Sequence, residues 1–195
     1  VLRLRSYVPL KAKNLKKAEG GCPNALLASA VVKPAMEQQR VEEGVKAKIA
    51  LEAGACTEAV EKIIEANTLL SGIGFESAGL AGAHAIHNGM TVLEECHSMY
   101  HGEKVAFGTI AQLVLENVPE EELEEIIGFC VEVGLPVTWK ELGAENVTDE
   151  QIMEVAKAAC AENDTLHNMP FEVTPETVAA ALKAADAYGK YYLGE

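Results

Sequence analysis

Apolar positions recur along most of this chain at intervals of three and four, the spacing of one helix face. Between Thr57 and Leu70 that spacing puts Val60, Ile63, Ile64, Asn67 and Leu70 on one side, with Thr57 as N-cap and Glu58 and Glu61 in the opening turns. Gly72 and Gly74 interrupt the pattern. From Ser77 to about Leu93 the chain is rich in Ala, Leu and Gly and poor in charge, which predicts a helix buried on most sides. Glu103 to Glu116 is apolar at Val105, Ala106, Ile110, Leu113 and Val114. Pro119 followed by acids predicts the next helix start, and Gly134 its stop. Leu135-Pro136-Val137 reads as a connector, with Trp139 filling the space beneath it. Thr148 with Gln151 forms a capping box for a helix to about Glu162, and Thr174-Pro175 opens a last helix to about Tyr192. No segment alternates convincingly, so the expected fold class is all-α, a helical bundle.

The first forty residues fit less well. Asn24 to Lys33 is the best helix there, with Pro34 placed to break it, and Val1 to Val8 reads as strand or loop. Charge marks the same boundary: residues 1–40 carry eight bases and two acids, and residues 41–195 carry eight bases and 28 acids. The expected organisation is therefore an atypical basic segment over 1–40 and an all-helical domain over 41–195. Two accounts of the basic segment stay open: an arm lying on an acidic body, or a stretch of altered reading frame.

The whole chain has 195 residues and a formal charge of −14, the wrong sign for a nucleic-acid binder. Its 49% apolar content is too high for an acidic disordered chain. No apolar run approaches the roughly 18 residues needed to cross a bilayer, and no secretory h-region opens the sequence. The first residue is Val1 rather than Met, as expected for a piece of a longer chain. Five widely spaced cysteines (Cys22, Cys56, Cys96, Cys130, Cys160) without a CxxC read as reduced thiols and a cytoplasmic location.

Candidate chemistry lies between Phe75 and Gly102. Four of the five histidines fall there: His84, His87, His97 and His101. His84 and His87 stand at i and i+3, on nearly one helix face of the most apolar helix. A buried imidazole needs a partner, and a metal ion is one. The spacing is not HExxH, which disfavours a zincin hydrolase. His97 and His167 read as loop residues. The acidic run from Glu116 to Glu125 reads as a solvated helix start, Tyr188, Tyr191 and Tyr192 as packing or interface residues, and Lys104 as surface cover. No serine or cysteine nucleophile with a matched base is evident.

Several words of the sequence carry a resemblance. Gly72-Ile73-Gly74-Phe75-Glu76-Ser77, Ala83-His84-Ala85-Ile86-His87-Asn88-Gly89, Tyr100-His101-Gly102-Glu103-Lys104-Val105-Ala106-Phe107-Gly108 and Asn168-Met169-Pro170-Phe171-Glu172-Val173-Thr174-Pro175 resemble the C-terminal helical half of the glycerol dehydrogenases. These form a branch of the iron-containing (group III) alcohol dehydrogenase family. The resemblance runs from about Glu42 to the end and implies a two-domain enzyme, with an N-terminal α/β domain for NAD and a helical domain for the metal. The metal it implies is Zn²⁺, with Fe²⁺ as the other candidate, held by one Asp and two His in the cleft between domains. The two His ligands fall on His84 and His101, the apolar substrate contact on Phe75, and a catalytic position near the nicotinamide on His87. The implied reaction oxidises glycerol to dihydroxyacetone, and the implied partners are a small polyol, the NAD-binding half and further copies of the chain.

The departures from that pattern set the remaining expectation. No Asp occurs before Asp149, so the family's aspartate ligand has no counterpart, and no glycine-rich NAD-binding segment follows a strand. The chain by itself is therefore expected to be inactive. The alternative is a non-catalytic helical relic or assembly module that keeps the fold.

Overall fold

The computed structural model describes residues 33–70, 72 and 80–195, and these fall into two compact units, one up to Gly79 and one from Leu80 to Glu195. Every regular element among the described residues is helical, as the three-and-four periodicity requires. The expected features at Val1–Val8, Asn24–Val32 and Phe75 lie outside the described residues.

The first unit holds α1 (Lys33–Glu52) and α2 (Glu58–Glu65), the latter running on into a π-helical turn over Ala66–Leu70. Pro34 lies in the first turn of α1, and residues 24–32 of the helix expected before it lie outside the described residues. A proline in the first turn gives up only an N–H that has no intrahelical partner anyway. Ala47, Ala59 and Val60 form the seam between the two helices, joined by Ala50 and Ile63. Lys62 bridges them, with its ammonium 3.0 Å from Glu58 and 3.5 Å from Glu43.

The second unit contains α3 (Gly82–Gly89), α4 (His101–Glu116), α5 (Glu120–Val133), α6 (Asp149–Ala159) and α7 (Pro175–Leu193). Short 3-10 turns lie at Met90–Val92, Glu94–Ser98 and Thr165–Asn168. Helix α3 packs between α4 and α6, α7 lies across the same two helices, and α5 packs on α4 and α7. The caps are those the sequence marks. Thr148 and Gln151 exchange side-chain and backbone hydrogen bonds at the start of α6, and Gly134 ends α5 at φ +78°. Phe107, Ile86, Met90, Ile110, Leu113, Ile127, Leu142 and Leu182 are fully buried, each burial being worth about 1.5–3 kcal/mol. Trp139 is buried against Phe107 with ring centres 4.8 Å apart, and its backbone N–H donates to Asp186 on α7 at 2.8 Å.

The stretch expected as one helix from Ser77 to Leu93 is α-helical over Gly82–Gly89 among the described residues and continues as a 3-10 turn over Met90–Val92. At this end carbonyls find side-chain donors: the Thr91 hydroxyl donates to Asn88 at 2.6 Å, and the His97 Nε2–H donates to Thr91 at 2.9 Å. Likewise α6 stops at Ala159, short of Glu162. No described helix is long and apolar enough to cross a membrane.

Candidate metal centre

The centre is built on the start of α4 and the body of α3. At α4 the Glu103 carboxylate reaches back to accept from the Tyr100 N–H at 2.7 Å, so the helix begins at His101, two residues before the expected Glu103. His101 therefore belongs to the first helical turn, where its ring is exposed. At α3 the residue before the helix, Ala81, has no capping side chain. Gln112 of α4 does that work from across the interface, its Oε1 accepting from the Ala83 N–H at 2.8 Å. Gln112 is itself fully buried and donates to Glu116 at 2.7 Å.

Two glycines set how closely the helices cross. A Cβ at Gly108 would lie 2.6 Å from the Ala83 carbonyl, and one at Gly89 would lie 2.4 Å from the Val155 carbonyl of α6. Only glycine admits these approaches, and they press α3 against both neighbours on either side of its histidines. The 3-10 turn at 165–168 clamps the entry to α3: the Thr165 hydroxyl donates to Ala81 at 2.9 Å and the Asn168 amide to Leu80 at 2.8 Å.

The outcome is a histidine cluster. The rings of His84 and His101 have centres 5.2 Å apart at an interplanar angle of 49°, and those of His87 and His101 are 4.3 Å apart, edge to face. His84 is 5% exposed. His87 is half-buried, and burial pushes its imidazole below the ordinary range. The hydrogen bond to Asn88 opposes that shift, and the Lys104 ammonium adds to it. His97 and His167 stay apart from the cluster and donate to loop carbonyls, His167 to Ala161 at 3.1 Å.

Sequence reasoning missed Lys104, which is buried and donates to the Cys96 carbonyl at 3.3 Å. A signal existed: Lys104, Phe107, Gly108 and Ala111 share the buried stripe of α4 at i, i+3, i+4 and i+7. The ammonium ties the turn at 94–98 to the helix that carries His101.

The pair His84 and His101 suits a divalent cation. Two imidazoles bound tetrahedrally at the usual metal–nitrogen distance of about 2.1 Å hold their ring centres about 5 Å apart, close to the separation found here. Among the described residues no group of three or more His, Cys, Asp or Glu side chains is arranged to hold a metal. A cation on this pair would thus draw its third protein ligand from elsewhere.

No family model matches the chain. Individual relatives do. Glycerol dehydrogenase of Citrobacter freundii is 64% identical over 151 residues, which cover 77% of this chain and 41% of the relative. Glycerol dehydrogenase of Thermotoga maritima is 57% identical over 150 residues, with the same coverage of each. The chain is a homologue of the glycerol dehydrogenases. Its fold agrees: a probable glycerol dehydrogenase from Sinorhizobium meliloti superposes with a TM-score of 0.81 at 46% identity, covering 85% of this chain and 47% of that one. Glycerol dehydrogenase from Schizosaccharomyces pombe gives a TM-score of 0.82 at 40% identity, covering 87% and 43%. The chain thus spans about two-fifths of the length of these curated relatives.

Proposed function

We propose that this chain is the metal- and substrate-binding helical part of an NAD-dependent glycerol dehydrogenase, with residues 41–195 as the helical domain. His84 and His101 hold a divalent cation, Zn²⁺ first and Fe²⁺ second, in a cleft that takes glycerol or a similar small polyol. The observation that carries this reading is the convergence of those two rings, 5.2 Å apart, in a chain 64% identical to a glycerol dehydrogenase.

Each residue has a task. His84 offers its imidazole from the buried interior of α3, locked by the close crossings at Gly108 and Gly89. His101 offers its ring from the first turn of α4. When bound, the cation supplies Lewis acidity that eases loss of the alcohol proton so that hydride can pass to NAD⁺. His87, beside His101, faces the reacting end of the polyol near the nicotinamide. The apolar substrate contact that the resemblance puts on Phe75 lies outside the described residues and belongs to this proposal only on the strength of that resemblance. Lys104 ties the 94–98 turn to the helix that carries His101. NAD and the third metal ligand come from the part of the glycerol dehydrogenases that this chain does not span. A cytoplasmic location and self-association accompany the same reading. The similarity to the glycerol dehydrogenases does not support the alternative of a non-catalytic relic better than this reading.

Zinc titration by calorimetry on the full chain tests the proposal. Weak binding is expected, because a third protein ligand normally completes such sites. It should vanish in His84→Ala and His101→Ala and persist in His97→Ala and His167→Ala. Supplying the N-terminal part of the Citrobacter freundii relative should raise the affinity and give glycerol-dependent NADH formation that His101→Ala abolishes. A chain that takes up no zinc in either setting, or whose uptake ignores His84→Ala, overturns the proposal.

A further inference from the structure

His87 ends a chain of hydrogen bonds that fixes which of its nitrogens carries the hydrogen. A neutral imidazole bears one N–H, and the two tautomers present different atoms to a ligand. Asp164 starts the chain. Its Oδ1 caps the 3-10 turn by accepting from the Thr165 N–H at 2.6 Å, and its Oδ2 lies 3.0 Å from the Asn88 amide nitrogen. An ionised carboxylate only accepts, so the NH₂ of Asn88 must face Asp164. The Asn88 Oδ1 therefore faces the other way, 3.0 Å from Nδ1 of His87. An amide oxygen also only accepts, so Nδ1 must donate.

We propose that Asn88 and Asp164 are positioning residues that hold His87 as its Nδ1–H tautomer, leaving Nε2 as a lone-pair acceptor beside His101. The use of that lone pair, to accept a hydrogen bond from a hydroxyl of the bound polyol, rests on the cleft reading above. The tautomer itself does not. The anchoring is long-range: Asn88 closes α3, and Asp164 is 76 residues further along the chain. The same turn that carries Asp164 clamps the entry to α3 through Thr165 and Asn168. Helix α3 is thus held at both ends by one segment, and the histidine face between the ends is oriented by it.

Long-range proton–nitrogen correlation spectra of the metal-free, nitrogen-15-labelled full chain at pH 8 read the tautomer directly. The wild-type chain should show His87 as a single Nδ1–H species. Asn88→Ala should give a mixture of both tautomers, and so should Asp164→Asn, which lets the Asn88 amide turn over. The combined swap Asn88→Asp with Asp164→Asn should restore the Nδ1–H species, because an acceptor again faces His87 and a donor again faces that acceptor. An Nε2–H signal in the wild type overturns the inference, as does an unchanged pattern in Asn88→Ala, or a combined swap that folds with a native circular dichroism spectrum yet stays mixed. Zinc titration of the same samples keeps the two claims apart. Zinc uptake with the wrong tautomer sinks only this inference, and the expected tautomer without zinc uptake sinks only the metal site.

Discussion

Cys130 shows how burial alone sets the chemistry of one residue. Its thiol is enclosed on α5, and that burial, with the Glu141 carboxylate adding to it, pushes the pKa up to about 12. Burial also raises Cys96, with the Lys104 ammonium opposing the shift, and raises Cys160. Cys56 is exposed. Since the thiolate is the reactive form, an alkylating reagent at pH 8 should label Cys56 within minutes and Cys130 only after unfolding, as mass spectrometry of digests would show. The same shift couples to stability. A thiol with a raised folded pKa contributes fully below the ordinary thiol range near 8.5, and its contribution fades as pH climbs from there toward about 12. The urea midpoint should therefore fall more steeply between pH 8 and pH 10.5 in the wild type than in Cys130→Ala. Equal slopes would show that the thiol is less enclosed than the structure has it. At this scale Lys104 is the instructive surprise. Its sequence neighbours make it look like surface cover, yet its register on α4 places it inside.

Helix crossings carry the site at the scale of elements. Helix α3 is only eight residues long and has no side-chain cap of its own, so it would not persist alone. It is held by Gln112 from α4, by the backbone approaches at Gly108 and Gly89, and by the clamp at 165–168. Gly108→Ala should therefore cost about 1–3 kcal/mol by overpacking, measured by urea denaturation. It should also weaken zinc binding more than Thr148→Ala does. That second change removes an N-cap from α6 and should cost about 1 kcal/mol without touching the histidine pair. If Gly108→Ala left both stability and zinc uptake intact, the close crossing would not be what places His84.

For the molecule as a whole, the central quantity is how much a cation adds to stability. A ligand that binds only the folded state at about 100 times its Kd stabilises by about 2.7 kcal/mol. With the histidine pair alone binding is weak, so zinc at a concentration near or below its Kd should barely move the melting temperature of this chain. A clear rise is expected once the N-terminal part of a relative is present. The rise should shrink as pH is lowered, because protons compete with the metal for imidazole nitrogen. A pH-independent shift would point to a site without histidine.

Much of the second unit was legible in the sequence. The caps at Thr148 and Thr174, the stop at Gly134, the run of α4 and the all-helical class depend on residues within four positions of one another, and such rules are written locally. The pairing of His84 with His101 came from resemblance, since spacing alone left it open. Illegible were the early end of α3, the burial of Lys104 and the hydrogen-bonded path from Asp164 through Asn88 to His87. Each depends on which backbones approach closely enough to touch. The sequence by itself determined the helices, their caps and the residue types available for chemistry, because propensity and periodicity act between near neighbours. Only the tertiary structure decided which of the histidines meet and which nitrogen of His87 is left to accept. Those outcomes hang on crossings of α3 with α4 and α6, made by groups far apart along the chain.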